Sequence, residues 1–322
     1  MAVRLRAEAQ EVLARYPAPT LYSVDFKPAT FYNWADPMKK LFCLGLASIL
    51  SGHFASAQQD FSKVEIKARQ VSGNIHMLEG AGGNIAVSAG PDGLLIVDDQ
   101  YAPLAEKIEG ALAKLGPAPL KYVLNTHFHG DHTGGNVHFG KQATIIAQTN
   151  VRKRLAGGPS VSGGLPVVTF DTSLSVHFNG EEIKLIHLGP GHTDGDTIVI
   201  FTKANVVHAG DQFFSGRFPN IDLGGGGDVR GYIRNVEQLL QTLPAGARLI
   251  PGHGPLSSRK ELEEFHEMLV ATSGVVERAI AAGKTLDQVK ADGLPDKWKK
   301  FEAPTLSVGR WLEILYRGLS QK

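Results

Sequence analysis

Cysteine is nearly absent: Cys43 is the only one in 322 residues. That excludes internal disulfides and any zinc cage built from several thiolates. Neither sign of charge is in excess, with 33 Lys and Arg against 32 Asp and Glu and a formal net charge of +1. No basic face is therefore expected to attract nucleic acid. Long hydrophobic runs are missing too, because the stretch from Leu41 to Leu50 is too short to cross a bilayer as a mature helix. No G-x-G-x-x-G or Walker pattern occurs, so the chain offers no phosphate cradle of those kinds. What remains is 43% hydrophobic residues, enough for one or two globular domains with a sizeable core.

The N-terminal region carries a processing signal. "MKKLFCLGLASILSGHFASA" begins at Met38 with two lysines, continues as the apolar stretch and ends in small residues at Ala55 to Ala57. This is the three-part order of a secretory signal. Residues 38–57 are accordingly expected to be a signal peptide and residues 58–322 the mature domain, periplasmic or secreted and not membrane-bound. Residues 1–37 are expected to be an upstream extension of the reading frame; a short extra helix over 5–15 is the alternative. Loss of residues 1–57 removes six basic and four acidic residues and the lone cysteine, leaving a net charge of −1. Cys43 follows "KKLF" and not a small-residue lipobox, so no lipid anchor is expected. Chemistry in the mature chain must then come from His, carboxylates, hydroxyls and metal.

From Gly73 onward, short β-type runs alternate with Gly and Asn turns: "NIHMLEG", "NIAVSAG" and "GLLIVDD" read as an antiparallel meander. "PLAEKIEGALAKLG" has Leu104, Ile108, Leu112 and Leu115 in helical spacing between Pro103 and Gly116. Strands follow at "LKYVLN", "ATIIA", "PVVTF", "LSVHF", "EIKLIHLG", "TIVIFT" and "ANVVHAG". The helix "DVRGYIRNVEQLLQTL", N-capped by Asp228, precedes the strand "ARLIPGHG". Two strand-and-helix halves suggest two sheets flanked by helices. C-terminal helices are expected from about residue 258, the last burying Leu306, Trp311, Leu312, Leu315 and Leu319 on its own core. The glycine-rich stretches 156–166 and 223–228 read as mobile loops.

Chemistry concentrates in "HFHGDH", residues 127–132, at the carboxyl end of a predicted strand, where ligands gather in such sheets. His127 and His129 can share one cation while Asp131 and His132 turn towards a second. The pattern H-x-H-x-D-H arises by chance on the order of once in a thousand such chains. His192 in "GPGHTDGD", Asp211 in "HAGDQF" and His253 in "PGHGP" sit in matching contexts, each after a strand and among glycines that allow close approach. Imidazole and carboxylate suit zinc, with iron or manganese as alternatives. Asp98, Thr126 and Thr193 are candidates to hydrogen-bond the ligands or order their loops. His208 is expected to point elsewhere, and His76, His138, His177, His187 and His266 have no partner motif.

With "THFHGDHTGG", "GHT", "GD" and "PGHG" in this order, the sequence resembles the metallo-β-lactamase superfamily from about Gly73 to Leu256. "LLIVDD" also looks like the family's Asp-ended strand. The resemblance implies an α/β fold, an αββα four-layer sandwich. It implies a first zinc held by His127, His129 and His192, a second held by Asp131, His132 and His253, and Asp211 bridging both. A binuclear zinc hydrolase would use a metal-bridging hydroxide, with Asp131 as catalytic group orienting it and passing a proton to the leaving group.

A small-molecule substrate is expected, and its class is less legible: an ester, lactone, thioester or amide/lactam. Asp211 resembles glyoxalase II and lactonase relatives, whereas His132, His192, His253 and export favour a dedicated metallo-β-lactamase. A mononuclear iron oxygenase on a sulfur substrate and a metal-binding protein without catalysis are the remaining alternatives. In "QFFSGRFPNIDLGGGG", Phe213, Phe214 and Phe218 could wall the site and Arg217 could meet a substrate carboxylate; core phenylalanines and a surface arginine are the other reading.

Overall fold

A computed structural model describes residues 60–158 and 163–320; the expected leader and upstream extension lie outside the described residues. The first strand, β1 (Lys67–Ser72), is mostly exposed and polar, which is why hydrophobic patterning misses it. It pairs antiparallel with β2 (Ile75–Glu79), and β3 (Ile85–Gly90) and β4 (Gly93–Val97) complete the expected meander. Helix α1 (Ala105–Ala113) then crosses over, burying Ile108 and Leu112 on the spacing read from sequence. β5 (Leu120–Asn125) returns parallel to β4. Two short helices, α2 (Gly130–Thr133) and α3 (Asn136–Phe139), precede β6 (Thr144–Gln148). Helix α4 (Thr149–Ala156), not foreseen from the sequence, leads to β7 (Val168–Phe170), and β5, β6 and β7 run parallel.

The second sheet has the order β12-β11-β10-β9-β8. β8 (Ser173–Phe178), β9 (Glu181–Ile186), β10 (Ile198–Phe201) and β11 (Val206–Phe214) are antiparallel neighbours. Helix α5 (Val229–Thr242), capped by the Asp228 side chain on Gly231 N, returns the chain to β12 (Arg248–His253), parallel to β11. The C-terminal helices are α6 (Arg259–Ala281), α7 (Leu286–Asp292), α8 (Asp296–Lys299) and α9 (Val308–Ser320). Glu261 accepts from Ser258 N (2.9 Å) to fix the start of α6, a reciprocal cap of the first turn.

Alternation along the strands sorts side chains into three apolar layers. Met77, Leu95, Val97 and Leu124 meet Ile183, Leu185, Val199 and Ile250 between the sheets. Leu94, Ile96 and Val123 face Ile108 and Leu112 of α1 on the outer side. Val207, Phe213 and Leu249 face α5, α6 and α9, where Trp311, Leu312, Leu315 and Leu319 are buried as expected. The layers run helix, sheet, sheet, helix: an αββα sandwich.

Both parallel pairs, β4 with β5 and β11 with β12, end at the same edge, so the two sheets deliver their carboxyl termini to one place. Asn84 ties the sheets together there. Its side-chain nitrogen donates to Pro251 O and Gly254 O, each at 2.9 Å, and its backbone N–H donates to Gly252 O. A buried amide with two partners is costly to remove because both carbonyls lose their donor. Asn84→Ala is therefore expected to lower the unfolding free energy by about 1–3 kcal/mol, measured by urea denaturation of the metal-free protein; an unchanged midpoint would contradict this role.

Candidate metal centre

The structure brings all seven predicted ligand residues into two adjoining groups. His127, His129, His192 and Asp211 form one and Asp131, His132 and His253 the other, with the donor atoms within 4.8 Å of one another in each. His127 and His129 lie in the turn after β5, while Asp131 and His132 sit on α2, so the helical turn swings them to the second group. His192 follows β9, and His253 closes β12. Asp211 lies inside β11, three residues before its end, and not after a strand as the sequence suggested. The ladder to β12 is interrupted around Gly210, which has a φ of +51°. A Cβ on Gly252 would come within 2.0 Å of Asp211 Oδ1, so only glycine admits that carboxylate.

Outer hydrogen bonds fix which nitrogen of each ring faces inward. His129 Nε2–H donates to Asp222 Oδ2 at 2.9 Å, His132 Nδ1–H to Asp98 Oδ2 at 2.7 Å, and His192 Nδ1–H to Asn220 O. The Thr126 hydroxyl donates to Asp98 Oδ2 (2.8 Å) and so accepts from His127 Nδ1–H (3.1 Å). The inward atoms of His127, His129 and His192 are then lone pairs. His129 Nδ1 lies 3.1 Å from His127 Nε2 and 2.9 Å from His192 Nε2. Three lone pairs at that spacing repel unless a cation lies among them, and their chemistry, nitrogen with carboxylate, fits a divalent transition metal or zinc.

Asp211 addresses both groups with different oxygens. Oδ2 is 3.3 Å from His192 Nε2 and 3.7 Å from His127 Nε2, while Oδ1 is 3.1 Å from His132 Nε2 and 3.4 Å from His253 Nε2. Buried Oδ1 has no hydrogen-bond partner among the described residues, an atom aimed at a missing positive charge. Asp131 Oδ2 lies 3.3 Å from His253 Nε2.

Protons stand in for cations in the metal-free protein. Burial pushes His127 well below the usual imidazole range and His192 down to about 4. Burial also opposes protonation of His132 and His253, but Asp211 together with Asp98 and Asp131 outweighs it. His132 is raised well above its ordinary value and His253 to about 9. Burial would raise Asp211, yet the surrounding histidines hold it well below the carboxylate range.

Thr193 makes no hydrogen bond to a ligand ring among the described residues. Its N–H and hydroxyl bind Asp196, which orders the loop after His192. His208 is buried and pairs with Asn84 O at 2.9 Å, His138 pairs with Glu109, His187 with Asp196 O, and His76, His177 and His266 join neither group. The phenylalanines are core residues, Phe213 on Phe265 and Phe218 on Trp311, with Phe214 buried beside them; the edges of Phe214 and Phe218 border, with the half-buried Arg217, a cleft of about 400 Å³ over the ligands. The stretch 223–228 is pinned, not mobile as expected: Asp222 accepts from Gly225 N and Gly227 N, and Gly225 O accepts from Asp194 N. Glycine is needed there because a Cβ on Gly227 would meet His192 O at 2.5 Å. Sequence reasoning missed Asp222, Asn220, Asn84 and Tyr232, whose hydroxyl donates to Asp211 O at 2.7 Å. The glycine run beside Asp222 was the available signal.

This geometry agrees with the comparisons: residues 69–253, more than half the chain, match the family described as the metallo-beta-lactamase superfamily. The chain belongs to that superfamily. Within it, the chain is 29% identical over 212 residues to the 2,4-dinitroanisole O-demethylase subunit alpha of Nocardioides sp., covering 62% of this chain and 60% of that one. It is 32% identical over 115 residues to a hydroxyacylglutathione hydrolase of Synechococcus sp., covering 35% of this chain and 42% of the relative. The chain thus spans less than two thirds of each of these two relatives. A metallo-beta-lactamase from Pontibacter korlensis shares the fold with a TM-score of 0.57 at 18% identity, over 64% of this chain and 99% of that one.

Two outcomes follow for this superfamily member. Zinc loading at pH 7 is expected to displace the protons of His132, raised well above its ordinary value, and of His253, raised to about 9, so affinity rises as pH climbs towards about 9. Calorimetry in buffers of different ionisation enthalpy reads the released protons; a heat independent of buffer would contradict it. Asp222→Ala frees His129 Nε2 and is expected to weaken zinc binding by roughly 10- to 100-fold, measured by competition with a chelator, with unchanged affinity as the opposing result.

Proposed function

We propose that the chain is a binuclear zinc hydrolase acting on an ester, lactone, thioester or amide/lactam. The observation that carries this reading is Asp211, a buried carboxylate whose two oxygens address two separate donor groups. A charge so deeply buried needs compensation on both sides. Two zinc ions in these groups would be held by His127, His129 and His192, and by Asp131, His132 and His253, with Asp211 shared. When bound, such ions supply Lewis acidity and bring the pKa of water towards neutrality.

The chain's own residues then divide the remaining work. Asp131 lies at the cleft with Oδ2 towards His253. Burial raises its pKa, but His132 and His253 more than reverse this, so it is a carboxylate able to accept a proton and return it to a leaving group. Phe214 stacks on His253 with ring centroids 5.0 Å apart and helps exclude water from that side. Asp98 and Asp222 keep the rings aimed, so that little reorganisation accompanies the reaction. Hydrolase chemistry is also supported by the hydroxyacylglutathione hydrolase relative, and export is supported by the Met38 to Ala57 sequence pattern.

The test uses the zinc-loaded protein on a chromogenic β-lactam, a lactone, an aryl thioester, an aryl ester and an aryl methyl ether, the last because one relative is named an O-demethylase. Turnover of at least one hydrolysable class is expected, abolished by chelation, restored by zinc and absent in His129→Ala. Asp131→Ala should lose roughly 100-fold or more. Full activity in Asp131→Ala, or no metal-dependent turnover of any class, would overturn the reading.

A further inference from the structure

Two lobes meet above the metal ligands. The first, about 400 Å³, is bounded by Phe214, Phe218, Asn220, Leu306 and Arg310; the second, about 590 Å³, by Glu79, Gly82, Asn84, Tyr101 and Pro255. Asp131, Arg217, His253 and Thr305 belong to both. Arg217 therefore stands on the ridge between the lobes, beside the second ligand group. It arrives there from the turn after β11, the strand that carries Asp211.

Arg217 is half-buried and makes no hydrogen bond, ion pair or aromatic stacking contact with any described residue. The other guanidinium of the cleft is different: Arg310 pairs with Glu313 at 3.1 Å. Arg154, beneath the 223–228 loop, is likewise held by Asp194 at 2.6 Å. An arginine withdrawn from water without a carboxylate is under-compensated, and its planar fork suits a bidentate anion. Glu79 and Asp131 share lining with it but lie outside ion-pair distance. Phe214, Phe218 and Leu306 border the first lobe as buried core residues, and among the described residues Arg217 is the unpaired cation between the two lobes that can read a charge on the substrate.

We infer that Arg217 is a specificity-determining residue and that the substrate carries a carboxylate, seated on the ridge between the two lobes. This rests on the hydrolase reading for turnover, but the binding of the anion does not. The remainder of the substrate would occupy the first lobe, beside Asn220 and Thr305.

A matched pair of aryl esters tests this on the zinc-loaded full chain: 4-nitrophenyl hydrogen glutarate, which bears a carboxylate, and 4-nitrophenyl valerate, of the same length and neutral. The wild type is expected to favour the glutarate ester by roughly tenfold or more through KM, the range of one charge-assisted pair. Arg217→Gln should erase that preference by raising the glutarate KM, and Arg217→Lys should keep part of it. Glutarate itself, which cannot be hydrolysed, is titrated calorimetrically into the same three proteins, and Arg217→Gln is expected to bind it at least roughly tenfold more weakly. Thermal unfolding of each variant verifies the fold. Equal KM values for the two esters in the wild type, or glutarate binding undiminished in Arg217→Gln, would overturn the inference. Turnover of neither ester, with glutarate binding still dependent on Arg217, would count against the hydrolase reading and leave anion recognition supported.

Discussion

The Asp211 carboxylate cannot be buried among four inward-facing imidazoles unless positive charge is supplied on both of its sides. That constraint organises the rest of the centre. His127, His129 and His192 converge with unprotonated nitrogens about 3 Å apart, an arrangement that is repulsive by itself. His132 and His253 meet the same charge requirement in the metal-free protein by holding protons. A cation on each side removes the repulsion and the protons together, which makes metal affinity and pH two readings of one balance.

The fold supplies this arrangement from two directions. Parallel pairing of β4 with β5 and of β11 with β12 brings the carboxyl ends of both sheets to one edge. Asn84 then fixes their relative position by binding the β12 end from the other sheet. Asp98, at the end of β4 with a φ of +64°, departs from the strand conformation to accept from Thr126 and His132 at once. A non-glycine residue in that region is held there by its surroundings, and the two hydrogen-bonded partners are what hold it.

Much of the sandwich was legible because its strands are apolar throughout, as in β4 and β11, or alternate, as in β9, and its turns are rich in Gly and Asn. The strands from β2 to β12 and the amphipathic α1, α5 and α9 follow from period and punctuation alone. β1 did not, since it is mostly polar and none of its residues is buried, and α4, "TNVRKRLA", has a single buried residue, Val151. The seven candidate ligands were readable because histidines so close in sequence have few other uses. Asp222 and Arg217 were harder for opposite reasons. Asp222 acts across a long sequence separation on His129, so its role exists only in the fold, and the glycines that pin its loop read locally as slack. Arg217 was noticed beside its phenylalanines, but its isolation from every carboxylate among the described residues is a three-dimensional fact. Arg310 and Thr305 come to the cleft from the C-terminal region and carry no local signal at all.

Anomalous diffraction from crystals of the zinc-loaded protein, recorded on either side of the zinc absorption edge, tests the central claim most directly. Two peaks are expected, one among His127, His129 and His192 and one among Asp131, His132 and His253, with the Asp211 carboxylate between them. A single peak, or a second ion that leaves Asp211 uncoordinated, would contradict the account.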